Sequence, residues 1–225
     1  MLTALLLLTT TSQKLDKYQF VELVTGPKMI KMDAATAAKM QREHLGGLKV
    51  LLDKGLAIAL GSVEDGGNIR GIVILKVATP EEAKALLADD PYVKSEQMAL
   101  ECFTWYTEGN PFGKRTAGFL DLEPCWLGLL YRGENPPKAT DTELAKMQEA
   151  HLANIGKQYD MGKLFAAGPM GEKTPFRGIF MYRDIPLKTI KELIKPDPFL
   201  QTGRLELKLY KWFVAKGTVP PIQKT

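Results

Sequence analysis

Residues 16–25 (Asp-Lys-Tyr-Gln-Phe-Val-Glu-Leu-Val-Thr) alternate in the manner of a half-buried strand, and Gly26-Pro27 closes them. From Asp33 the period changes. Ala37, Met40, His44, Leu48, Leu51 and Leu52 recur at steps of three and four, which predicts an amphipathic helix with His44 on its inward stripe and Gly55 as its stop. Ala57 to Val63 reads as a second strand, Glu64-Asp65-Gly66-Gly67 as a turn, and Ile69 to Val77 as a third strand. Thr79-Pro80-Glu81-Glu82 supplies an N-cap, a first-turn proline and a capping-box glutamate for a second helix that runs to about Ala88. Asp89-Asp90-Pro91 stops it, and Gln97 to Thr107 is the fourth strand. The predicted order is βαββαβ, the split-βαβ pattern of a ferredoxin-like unit.

The same pattern then returns. Met40-Gln41-Arg42-Glu43-His44-Leu45 reappears as Met147-Gln148-Glu149-Ala150-His151-Leu152, 107 residues later. That offset also relates Gly55 to Gly162, Gly61 to Gly168, Gly71 to Gly178, Asp90-Pro91 to Asp197-Pro198 and Trp105 to Trp212. A register this constant predicts a duplicated unit. The second copy has strands at Cys125–Tyr131, 164–169, 176–182 and 204–214. Its first helix is capped by Thr140-Asp141-Thr142-Glu143 and its second spans 187–195. Residues 108–122, rich in Gly and mixed charge, read as a linker, and 217–225 as a loose tail.

Composition adds bounds rather than a function. With 45% hydrophobic and 25% charged residues the chain is ordinary globular protein, and a net charge of +4 without a basic stripe argues against a nucleic-acid surface. Leu2 to Leu8 is an apolar run too short to span a bilayer, followed by Thr9-Thr10-Thr11-Ser12. It resembles a signal peptide over residues 1–13 that lacks its basic start. The expectation is export to a periplasmic or secreted location, with a cytoplasmic one as the alternative. Cys102 and Cys125 fall outside the duplicated pattern and read as two apolar strand residues, with a disulfide open to an exported chain.

The inward histidine, the stretches Gly55–Ser62 and Gly162–Pro169, the acid after each, the Asp-Pro-Tyr or Asp-Pro-Phe stop and the last-strand tryptophan together resemble the YCII-related domain family. The resemblance covers 14–107 and 123–217, with 108–122 between them. It implies an α+β fold: two tandem ferredoxin-like βαββαβ units forming an intramolecular dimeric α/β barrel, similar to muconolactone isomerase, with further homo-oligomerisation left open. It also implies a catalytic His–carboxylate pair in each unit, mapping onto His44 with Asp65 and His151 with Glu172. Two departures stand out: Glu172 where the first copy has Asp65, and Ser62 where the second keeps Pro169.

The residues themselves speak to the same pair. His44 and His151 are the chain's two histidines, and an acid follows each by 21 positions, within reach of a strand returning beneath the helix. An imidazole can take and give a proton near neutral pH, and a carboxylate on one ring nitrogen fixes its tautomer. A lone His on an apolar helix face is, by contrast, more often a core residue. Arg70 and Arg177 could anchor an anionic substrate or be exposed strand residues; Tyr92 and Phe199 could line a pocket or merely follow a turn. No dinucleotide or phosphate loop is present, and one His with one carboxylate falls short of a metal set, so neither cofactor nor metal is expected. The expected function is small-molecule acid–base chemistry of isomerase, lyase or hydrolase type. The alternatives are a non-catalytic module holding haem or a hydrophobic effector, and a duplicated scaffold.

Overall fold

A computed structural model describes residues 15–28, 30–171 and 174–222. The apolar run at the N-terminus and Glu172 therefore lie outside the described residues. The first half comprises β1 (Leu15–Thr25), α1 (Ala34–Asp53), β2 (Ala57–Glu64), β3 (Ile69–Leu75), α2 (Pro80–Leu87), α3 (Pro91–Lys94) and β4 (Met98–Glu108). The second repeats that order as β5 (Leu122–Arg132), α4 (Asp141–Asp160), β6 (Leu164–Pro169), β7 (Phe176–Tyr182), α5 (Leu187–Ile194), α6 (Pro198–Gln201) and β8 (Leu205–Ala215). The short α3 and α6 were not expected. Asp90-Pro91 and Asp197-Pro198 stop one helix and start another, because an Asp N-cap followed by proline at N1 suits a helix start as well as a turn.

The strands form one antiparallel sheet in the order β4-β1-β3-β2-β8-β5-β7-β6. One seam between the halves is a ladder in which Gly61–Glu64 pair with Val214–Lys211. The other brings the two ends of the sheet together through the Trp105–Met170 bridge, the Gly171 N–H on the Thr104 carbonyl (2.7 Å) and the Thr107 hydroxyl on the Ala167 carbonyl (3.0 Å). The result is a nearly closed eight-stranded barrel. Both seams need a glycine: a Cβ at Gly61 would lie 1.8 Å from the Phe213 carbonyl oxygen, and one at Gly168 1.8 Å from that of Tyr106.

The period-2 pattern sorts side chains between two environments. On β1, Tyr18, Phe20 and Val24 enter the barrel, where they meet Cys125, Leu127 and Leu129 of β5. Val21 and Leu23 point outward and pack under Leu48 and Leu51 of α1 and Ala83 and Leu87 of α2. In the second half, Leu130, Leu164, Phe180 and Tyr182 meet Ile190 of α5 in the same way. Cys125 and Cys102 are free and lie on opposite faces of the sheet. Burial pushes the Cys125 thiol up, and that of Cys102 to about 11, so both behave as apolar residues.

The linker and tail differ from expectation. Phe112 is buried and stands edge-on to Trp105, Trp212 and Phe165, plugging one end of the barrel. The tail is tied over it: Gly113 N–H donates to Thr218, and the Glu123 carboxylate accepts from the backbone N–H of Gly217 and Val219. A polar, Gly-rich stretch reads as a free linker when a Phe such as Phe112 has no periodic partner. Here that Phe completes the core.

Candidate active site

Each histidine stands on the inward stripe of a 20-residue helix. Asp33 caps α1 by accepting the N–H groups of Ala35 and Thr36, and a reciprocal Thr140–Glu143 capping box starts α4. Fixed helix starts set the phase that turns His44, Leu48 and Leu51 toward the sheet. Both histidines are buried residues, their side chains about a tenth exposed.

The partner of each ring is an aspartate that caps the next short helix. Asp90 Oδ1 accepts the Tyr92 N–H at 2.9 Å, while Oδ2 lies 2.5 Å from His44 Nδ1. Asp197 Oδ1 accepts the N–H groups of Phe199 (3.0 Å) and Leu200 (3.4 Å), and Oδ2 lies 2.5 Å from His151 Nδ1. One oxygen holds the cap and the other holds the ring, so α1 is bound to α3 and α4 to α6. With the carboxylate ionised, Nδ1 is the donor and the neutral ring leaves Nε2 as an acceptor. Neither Nε2 has a hydrogen-bond partner among the described residues, and neither is among the sealed, unpaired polar atoms there.

This corrects the expected pairing. Asp65 sits in the β2–β3 turn with a left-handed φ of 54°. It lines a depression of about 320 Å³ outside the β2–β8 seam, with Glu64, Trp126, Leu209 and Lys211, and its carboxylate does not pair with His44. The turn carries the acid past the end of the sheet instead of under the helix. His151 takes Asp197, and Glu172 lies outside the described residues. Arg70 gives its Nε to the Thr25 hydroxyl at the surface (2.9 Å) and Arg177 is exposed; neither bonds to a His–Asp pair among the described residues. Tyr92 and Phe199 do reach the histidines, each standing edge-on with ring centroids 5.3 Å apart. The missed aspartates had a signal in the chain: each lies 46 residues beyond its histidine, and both copies keep the same residue type there.

Residues 22–105 match the model of the YCII-related domain. No curated protein matches the chain. Among solved structures, a haem-binding protein from Thermus thermophilus superposes with a TM-score of 0.57 at 11% identity, covering 92% of this chain and 95% of that one. A variant of chlorite dismutase from Candidatus Nitrospira defluvii gives 0.58 at 7% identity, covering 90% and 92%. A candidate monooxygenase from Lactobacillus acidophilus gives 0.50 at 8%, covering 91% and 98%. At these identities the likeness is one of fold, the dimeric α/β barrel.

Proposed function

We propose that the chain binds small molecules and that its two His–Asp pairs, His44–Asp90 and His151–Asp197, move a proton on them. The names of the fold neighbours, which include a haem-binding protein and chlorite dismutase, support the small-molecule part. The observation that carries the chemistry is the ring geometry: in both halves Nδ1 is held 2.5 Å from a buried carboxylate and Nε2 is left without a partner among the described residues. Such a ring accepts a proton at Nε2 while the aspartate steadies the imidazolium, an arrangement worth about 10²–10⁴-fold in rate. The reaction class is isomerisation, elimination or hydrolysis of a small carbonyl compound or acid. On this reading, residues 123–217 are a second domain of the type matched at 22–105.

Haem does not fit the barrel through a histidine. Both histidines lie in the helix–sheet layer outside it, and the interior is filled by Trp105, Trp212, Phe112, Phe20 and Phe176.

A second reading is favoured by the double use of each aspartate: the pairs are structural locks that join helix to cap. Carbethoxylation with diethyl pyrocarbonate separates the two. An acid–base role expects both rings of the folded chain to react at Nε2, and expects His44→Gln and His151→Gln to abolish turnover in a screen of lactones and keto acids without unfolding. Rings that resist the reagent until the chain unfolds, with variants that lose stability and nothing else, would establish the lock and remove the catalytic reading.

A further inference from the structure

The interior of the barrel is apolar at the end plugged by Phe112 and changes character at the other. On β1 the inward series Tyr18, Phe20, Glu22, Val24 places a carboxylate among apolar side chains. Glu22 is 4% exposed, and its Oε1 is sealed with no hydrogen-bond partner among the described residues. Its cross-strand partner on β4 is Glu101, so two carboxylates share one face of one ladder, which is unfavourable by itself. Across the barrel the equivalent positions, 107 residues on, are Leu129 and Lys208. At these two positions the acids belong to the first half alone.

Around these acids stands an aromatic wall. Phe176 meets Phe103 edge-on at 5.3 Å and Tyr131 at 5.9 Å, and the Lys208 ammonium rests 4.6 Å from the centre of the Tyr131 ring. The titratable and charged groups on the inner face about Glu22 are Glu101 from β4, Tyr131 from β5, and Tyr210, Lys208 and the exposed Glu206, cross-strand partner of Tyr131, from β8; β3 contributes Ile72. Glu101 and Lys208 are exposed, so this mouth opens to solvent. Burial, and then Glu101, push the Glu22 carboxyl up to about 7. No group of three or more metal-ligating side chains gathers among the described residues, so the two acids lack the set that a metal would ask for.

We propose that this barrel mouth is a second binding site, distinct from the His–Asp pairs, for a small primary amine carrying an apolar or aromatic body. The ammonium would pair with the unpartnered Glu22 carboxylate and relieve its repulsion with Glu101, while the body rests against the part-exposed Phe103 and Tyr131. A protonated amine suits this wall, since Lys208 already sets an ammonium against one of its rings.

The test is calorimetry on the full chain with phenethylamine, and with 2-phenylethanol and phenylacetate as neutral and anionic counterparts. The amine should bind and its counterparts should not. Binding should weaken about thirtyfold between about pH 8 and about pH 5.5, because a carboxyl titrating near 7 is ionised in only about one molecule in thirty at the lower pH. Below pH 7, repeats in buffers of different ionisation enthalpy should show a proton released on binding. Glu22→Gln should lose at least tenfold in affinity. Glu22→Leu, which copies the residue the second half already carries, should lose as much with an unchanged circular dichroism spectrum. Equal binding of 2-phenylethanol, preference for phenylacetate, no binding of the amine, or affinity untouched in both Glu22 variants would each overturn the proposal.

Discussion

The two His–Asp pairs share a geometry and differ in what surrounds it. At His44 the carboxylate keeps a little exposure, the edge-on aromatic is Tyr92, and its hydroxyl reaches Gln41 at 3.0 Å. At His151 the carboxylate is fully sealed and caps two N–H groups, the edge-on ring is Phe199, and Phe180 stacks on the imidazole at 6.1 Å. Beneath the second pair lies a buried polar contact, Tyr182 to Gln158 at 2.9 Å, where the first half has Leu75 and Leu51. Burial and then Asp197 push the Tyr182 hydroxyl up, which keeps it a neutral donor. The geometry is thus held by the helix-to-cap arrangement common to both halves. The environment, free to vary around it, leaves the first carboxylate wetter and the second drier, while the two imidazoles are about equally exposed.

The halves also meet at two unequal seams, and the largest expected effects lie there. Gly61→Ala forces a Cβ into the Phe213 carbonyl within a four-pair ladder; Gly168→Ala forces one into the Tyr106 carbonyl beside a single bridge. Backbone cannot yield as a side chain tip does, so each change should cost about 3 kcal/mol or more in urea denaturation. If the seams differ as drawn, Gly168→Ala should part its seam locally, with faster amide exchange in β4 and β6, whereas Gly61→Ala should lower global stability. Identical exchange patterns in the two variants would erase the distinction between ladder and bridge.

The comparison of the pairs themselves is sharpened by Asp197→Ala against Asp90→Ala. Each removes an N-cap and strands a ring nitrogen, but the sealed site also abandons two backbone donors where the other abandons one. We expect losses of about 3 kcal/mol at Asp197 and about 2 kcal/mol at Asp90, measured as midpoint shifts at constant m-value. An equal loss would mean that the difference in burial has no energetic consequence.

Much of this fold was legible because it rests on periodicity. The switch from period two to three-and-four marked β1 and α1, and a 107-residue register carried the assignment into the second half. The His–Asp partnership was legible in kind but not in partner. The resemblance, and a strand returning beneath α1, point to Asp65, yet its backbone turns left-handed beyond the sheet. Asp90 leaves no such mark because a four-residue helix shows no period, and Asp-Pro reads as a stop. Phe112 escaped for a related reason: an isolated aromatic in a Gly-rich stretch carries no pattern, and only the closed barrel gives it a place.

The smallest expected effect concerns the one inward carboxylate that the second half replaces with an apolar residue, Glu22 against Leu129. Burial raises the Glu22 carboxyl from its ordinary 4.5 to about 7, so the folded state holds its proton more tightly than the unfolded chain. The sign follows from linkage. Below about pH 4.5 the group is protonated in both states and costs nothing. As pH rises toward 7 the unfolded chain ionises freely while the folded one resists, and above 7 the folded state carries the full penalty. Glu22→Gln removes the charge but leaves a buried amide to satisfy, so it recovers part of that penalty. It should stabilise the protein by about 1–2 kcal/mol at pH 8, with the gain fading through the interval from 7 to 4.5 and vanishing below it. Leu129→Gln, at the matching position across the barrel, has no titration to remove and should destabilise by a similar amount at every pH. Parallel stability profiles for wild type and Glu22→Gln from about pH 4 to 8 would show that the carboxylate is solvated after all, and that the two halves of the barrel do not differ electrostatically at this level.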